Sequence, residues 1–178
     1  MEYLLIGFFT GLSLILALGA QNIFVIEQGL RRQYTFLVCL ICSISDYLLI
    51  FLGIILFEYF QSYFNQTIEL ILNILLLIFL LYFIYSKIRL SFSNIDFSTY
   101  KTDDTFKSIV LKTLGFTYLN PHVYSDTVFF LGNFSKNFAL VNKIYFGLGA
   151  TISSFLFFFT IGYLAKYSSK YLNNKKTW

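Results

Sequence analysis

Residues 3–26 run for 24 positions without a single formal charge. About 20 consecutive apolar residues are enough to cross the hydrocarbon core of a bilayer, so this run constrains the fold more than any other feature. A secretory signal is the rival reading, because Leu18-Gly19-Ala20 imitates a small-residue cleavage site. Only Met1 and Glu2 precede the run, so the basic leader of a signal is missing, and the apolar stretch continues past Ala20. The run is therefore read as a membrane span. Composition agrees: 57% of the chain is hydrophobic and only 12% is charged, against about 25% charged in ordinary soluble domains. The 23 Phe and 14 Tyr exceed what a soluble core of this size can hide. Ile, Asn, Lys and Tyr are abundant too, so codon bias is the preferred reading of part of that excess, ahead of any aromatic cage. A soluble enzyme, a disordered tail and a disulfide-stapled secreted domain are all disfavoured.

Further apolar runs fall at about 35–57, 68–86, 108–132 and 144–165. In lipid the backbone must satisfy its own hydrogen bonds, which makes these spans helices; long runs without strand alternation argue against a barrel. The expected fold class is all-α, a polytopic helical membrane protein of about five transmembrane helices. It forms a single membrane-embedded domain: a first half over 1–88, a polar linker over 89–107, a second half over 108–165 and a basic tail over 166–178. Lys and Arg favour the cytoplasmic side of a membrane. With five spans, eleven of the 13 basic residues collect on one side, including Arg31, Arg32, Lys166 and Lys170. This predicts an outside N-terminus, a cytoplasmic linker and a cytoplasmic C-terminus. The net charge of +4 then sets topology and does not signal a nucleic-acid partner.

Polar groups inside the spans carry the chemistry. A charge at mid-membrane costs at least about 2.5–3.5 kcal/mol on insertion scales. Asp46 and Asp126 incur that cost, whereas Glu27, Glu58 and Glu69 fall near span ends. A buried Asp can serve merely as a hydrogen bond between helices, but in a span the functional reading is the default. The pair is suited to alternate between holding protons and holding a cationic substrate. His122, the only histidine, lies four residues before Asp126 on the same helical face. It is read first as a structural donor and second as a proton relay. Cys39 and Cys42 form a C-x-x-C among aliphatic residues. They are read as small apolar helix residues, since redox chemistry needs an accessible thiol and zinc needs more ligands. No metal site, cofactor or catalytic residue is expected.

Two helix breaks stand at corresponding places in the halves. Pro121, the only proline, removes a backbone donor and pushes Asn120 out of helical geometry. Gly19 loosens the first span just before Gln21 and Asn22. Interrupted helices at matching positions are the best sequence pointer to a transporter site. Three spans before the linker would make a second repeat enter the membrane inverted. Gly7-x-x-x-Gly11 and Gly149-x-x-x-Ser153 suit close helix packing. They are read as packing within the fold, and a homodimer stays open as a partnership.

These blocks together resemble one family. Leu18-Gly19-Ala20-Gln21-Asn22, Gln28-Gly29-Leu30-Arg31-Arg32-Gln33, Ser45-Asp46 and Leu119-Asn120-Pro121-His122-Val123-Tyr124-Ser125-Asp126-Thr127 follow the order of the LysE/ArgO family of bacterial basic amino-acid exporters. The resemblance spans essentially the whole chain and is closest to the arginine-exporting branch. It implies a secondary transporter in the bacterial inner membrane, exporting arginine or lysine by alternating access and driven by the proton gradient or membrane potential. It implies an inverted 3+3 repeat in which the substrate cation meets Asp46 and Asp126. The substrate carboxylate would lie against Gln21, Asn22 and Asn120, with His122 beside them and Gly19 and Pro121 as the broken-helix hinges. Two departures carry expectations of their own. The family has proline where this chain has Ala20, so a softer first break is expected. Relatives carry a sixth apolar segment and the sequence stops at Trp178, so the inverted pair is expected to be incomplete, either completed by a partner chain or truncated with reduced activity. The alternatives are an exporter of neutral amino acids or of a cation, or a non-transporting accessory product.

Overall fold

The computed structural model describes residues 1–17, 19–60, 74, 78 and 105–172. The expected third span at 68–86 and almost all of the expected linker lie outside the described residues, Ile74 and Ile78 excepted, as do Glu69, Leu18 and the last six residues of the tail. The described residues are helical. They form α1 (Glu2–Ile15), α2 (Ala20–Arg31), α3 (Thr35–Phe60), α4 (Phe106–Tyr118), α5 (Pro121–Tyr124), a π-helical turn (Ser125–Phe130), α6 (Leu131–Ser135) and α7 (Leu140–Leu172).

Two of these helices, α3 and α7, are long and apolar enough to cross a membrane, and α1 with α2 makes a third if the bent pair is one span. This is a helical membrane protein. The expected spans at 35–57 and 144–165 correspond to α3 and α7. Helix α7 overshoots: its 33 residues measure about 50 Å at 1.5 Å per residue, against a hydrocarbon core of about 30 Å. Lys166 and Lys170, assigned to a basic tail, therefore continue the helix. The run at 108–132 is not one straight helix. It is divided by the Leu119–Asn120 break and then by the π turn, because Pro121 supplies no N–H and its neighbour cannot stay helical.

The bend between α1 and α2 is 80°, which is not the softer break that Ala20 suggested. The reason is that proline is unnecessary where glycine and a side-chain clip do the work. Gly19 is extended at φ −95°, ψ 176°, and the Asn22 amide reaches back to the freed carbonyls of Ile15 and Ala17 at 2.9 and 3.1 Å.

Close approach of backbones holds the bundle together, and glycine is what permits it. A Cβ on Gly7 would collide with the carbonyl of Phe146, and one on Gly149 with that of Leu4. A Cβ on Gly11 would lie 2.9 Å from the Cα of Ala150. The two small-residue patterns thus face each other across α1 and α7, inside one chain. On the other side, a Cβ on Gly53 of α3 would come within 2.7 Å of the Cα of Val128 in the π turn. Cys39 and Cys42 are buried and unbridged, and the Cys39 thiol donates to the carbonyl of Phe158 at 3.2 Å. They pack with Phe24, Val25, Val38, Ile109, Phe157 and Phe158. Large apolar side chains also face outward, as Leu148, Ile152 and Leu156 do at intervals of four along α7. That outward apolar stripe is the surface a lipid-facing helix presents.

Candidate functional site

The site begins with the two breaks. Where α4 ends, Asn120 turns its side chain forward and Oδ1 accepts the backbone N–H of His122 at 3.2 Å. Asn120 is thus the N-cap of α5, with Pro121 in the first helical position, where a missing N–H costs nothing. At the other break Gly19 caps α2 with backbone alone. The breaks meet: a Cβ on Gly19 would stand 3.7 Å from His122 Cδ2 and 3.8 Å from Asn120 Nδ2.

Around this meeting point lies a cavity of about 50 Å³. Its walls include Gly19, Gln21, Asn22, Asp46, Asn120, His122 and Asp126. Every side chain singled out from the sequence as a binding group therefore converges on one space, and Pro121 opens the helix between two of them. Leu14, Ile15, Ile50, Val123 and Leu131 supply apolar wall. Among the described residues, none that lines it is a lysine or arginine.

The two carboxylates are held differently. Asp46 is 4% exposed. Its Oδ2 accepts the Ser154 hydroxyl at 2.7 Å, while Oδ1 has no hydrogen-bond partner among the described residues. The Gln21 side chain stands beside Asp46, and its buried Nε2 makes no full hydrogen bond among the described residues. Asp126 sits in the π turn, in a helical widening of the kind that recurs at functional sites. Its Oδ1 lies 3.0 Å from the Ser125 hydroxyl, and its Oδ2 lies 3.5 Å from His122 Nε2. The Ser125 hydroxyl is also 2.9 Å from the carbonyl of His122, and its one proton serves one of these acceptors at a time. His122 and Asp126 keep the i,i+4 relation read from the sequence.

Sequence reasoning missed Ser154 and Thr127, both of which line the cavity. Ser154 follows the serine of the Gly149 pattern in an otherwise apolar helix, and a hydroxyl there was the available signal. The π turn had no signal. Outside the cavity, Glu27 pairs with Arg31 at 2.7 Å, and Glu58 pairs with the buried Lys143.

Comparison with known proteins bears on the family of the chain. The family model described as LysE type translocator matches residues 12–178. The Arginine exporter protein ArgO of Pectobacterium atrosepticum is 36% identical over 178 residues, covering 96% of this chain and 84% of that protein. The protein of the same name from Klebsiella pneumoniae is 35% identical, covering 96% of this chain and 81% of its own length. A third, from Salmonella newport, is 33% identical over 98% of this chain and 83% of its own length. No solved structure matches the chain.

Proposed function

The chain belongs to the LysE type translocator family, and from that premise we propose that it exports basic amino acids, arginine first, across the bacterial inner membrane. It is a transporter and not an enzyme. The observation that carries the substrate reading is the cavity itself: two carboxylates share a small space inside the bundle, and among the described residues no lysine or arginine lines it. Carboxylates so placed are costly unless something positive or a proton joins them. A guanidinium or ammonium group supplies that partner, with charge-assisted hydrogen bonds to Asp46 and Asp126. The carboxylate of the substrate lies toward Gln21, Asn22 and Asn120, where the first turn of α2 has backbone N–H groups without helical acceptors. His122, against Asp126, serves first as a structural donor that steadies that carboxylate and second as a proton relay.

A cavity of about 50 Å³ holds a few waters and not an amino acid. Export therefore requires the site to enlarge and to open to each side in turn. The breaks at Gly19 and at Asn120–Pro121 are the hinges of that movement. It is driven by the proton gradient or the membrane potential, and the C-terminus lies in the cytoplasm. The wider architecture proposed is an inverted repeat of two halves, 1–88 and 108–165, joined by the linker at 89–107. ArgO relatives bear the name of arginine exporters, and this favours arginine over lysine.

The test is growth and flux. Asp46→Asn or Asp126→Asn should abolish export, a drop of about 100-fold, while the protein still inserts in the membrane; losing one charged hydrogen bond of about 1.5–3 kcal/mol at each site sets that scale. Canavanine resistance in an exporter-deficient strain reads it in cells. Uptake of labelled arginine, homoserine and cadmium into inverted vesicles reads the substrate class. Full resistance from both variants would mean the carboxylates are structural, and uptake of homoserine alone would transfer the reading to neutral amino acids.

A further inference from the structure

Hydroxyls in apolar helices usually turn inward on their own backbone. Those of α7 next to the cavity do so: Thr151 donates to the carbonyl of Gly147 at 2.8 Å, and Ser153 to that of Ala150 at 2.7 Å. Ser154 does otherwise. It is 2% exposed, and it donates across the bundle to Oδ2 of Asp46 in α3, at 2.7 Å.

That bond decides which oxygen of Asp46 is left. A carboxylate turns about its last torsion through two nearly equivalent orientations, so an untethered Asp46 would present either oxygen at varying angles. With Oδ2 held, Oδ1 is the oxygen without a full hydrogen bond among the described residues, on a residue that lines the cavity beside the Gln21 amide. Asp126 is steadied from within its own turn, by Ser125. Asp46 is steadied from a helix 108 residues away, so its alignment depends on α3 and α7 keeping their register.

We propose that Ser154 is a positioning residue for export: it fixes the Asp46 carboxylate so that one defined oxygen meets the cationic end of the substrate. This rests on the reading of Asp46 as a substrate-binding group. The substrate itself need not touch Ser154. Its loss acts on how well the cation is gripped and leaves the fold and the rate of the conformational cycle largely alone.

Concentration-dependent uptake of labelled arginine into inverted vesicles tests this. Ser154→Ala should raise the half-saturating arginine concentration about tenfold, the scale of one hydrogen bond to a charged group, with the maximal rate within about twofold of the parent. Ser154→Thr keeps the hydroxyl and should restore the parental half-saturation. Ser153→Ala, which removes a bond internal to α7, should leave it unchanged. An unchanged half-saturation in Ser154→Ala overturns the proposal. So does a fall confined to maximal rate or to the amount of inserted protein, or an equal rise in the Thr variant. Asp46→Asn in the same assay separates the two levels. If that variant transports like the parent, the reading of Asp46 fails; if it is inactive while Ser154→Ala is normal, only the role of Ser154 fails.

Discussion

At the first helix break the chain leaves α1 through Gly19, and Asn22 reaches backward to the carbonyls of Ile15 and Ala17. At the second it leaves α4 at Asn120, which reaches forward to the N–H of His122. One break therefore satisfies orphan acceptors and the other an orphan donor, the two kinds of group that any interrupted helix exposes. Their supports differ as well. The first broken pair lies on α7 through Gly7, Gly11 and Gly29, and the second lies on α3 through Gly53 and Gly132. Two unlike local solutions deliver the same result, a pair of helix ends facing each other at a cavity that mixes a few polar side chains with apolar wall. A hinge is defined here by where the backbone groups go, and the residue type that breaks the helix is secondary.

This contrast can be broken experimentally, beginning with the supports. Gly53→Val places a branched side chain where even a Cβ would lie 2.7 Å from the Cα of Val128. Overpacking of that kind costs about 3 kcal/mol, so the variant should insert poorly and lose the π turn as a fixed element; yield and thermal unfolding in detergent report it. Normal yield and unfolding would mean that the second break does not depend on α3.

A smaller effect discriminates the two breaks directly. Asn22→Ala strands two carbonyls and should cost about 2 kcal/mol, whereas Asn120→Ala removes one cap and should cost about 1 kcal/mol. Unfolding of both variants in the same detergent gives the order, and the reverse order would show that the second break carries the greater load. The smallest effect comes from Ala20→Pro, which places proline at the first position of α2. Ala20 opens α2, and the preceding Gly19 is already extended, the geometry that a residue before proline requires. The substitution should be neutral or stabilise by about 0.5 kcal/mol. A loss greater than about 1 kcal/mol would show that the Ala20 N–H is needed.

Much of this site was legible along the chain because its parts are local. Pro121 and Gly19 break helices by their own covalent structure, and His122 and Asp126 meet because they are one turn apart. The cost of charge in lipid marked Asp46 and Asp126 without any knowledge of their neighbours. The sharp bend at Ala20 was not legible, since it depends on an amide reaching back seven residues to Ile15. Nor was the π turn, whose widening follows no residue signature in Ser125–Phe130. Ser154 offered only the signal of a hydroxyl in an apolar helix, and its partner in α3 was not legible.

The amino-acid order alone determined that apolar runs become helices in lipid, where those helices must stop, and which few side chains are too polar to lie there idle. Each of these follows from the energetics of a single residue or a single turn. Only the tertiary structure decided that Asp46 and Asp126 share one cavity, that the two breaks face each other, and that a serine of α7 holds one oxygen of Asp46. Those depend on which helix faces come together, and that is set by backbones approaching at glycines far apart in the chain, a contact that no local periodicity encodes.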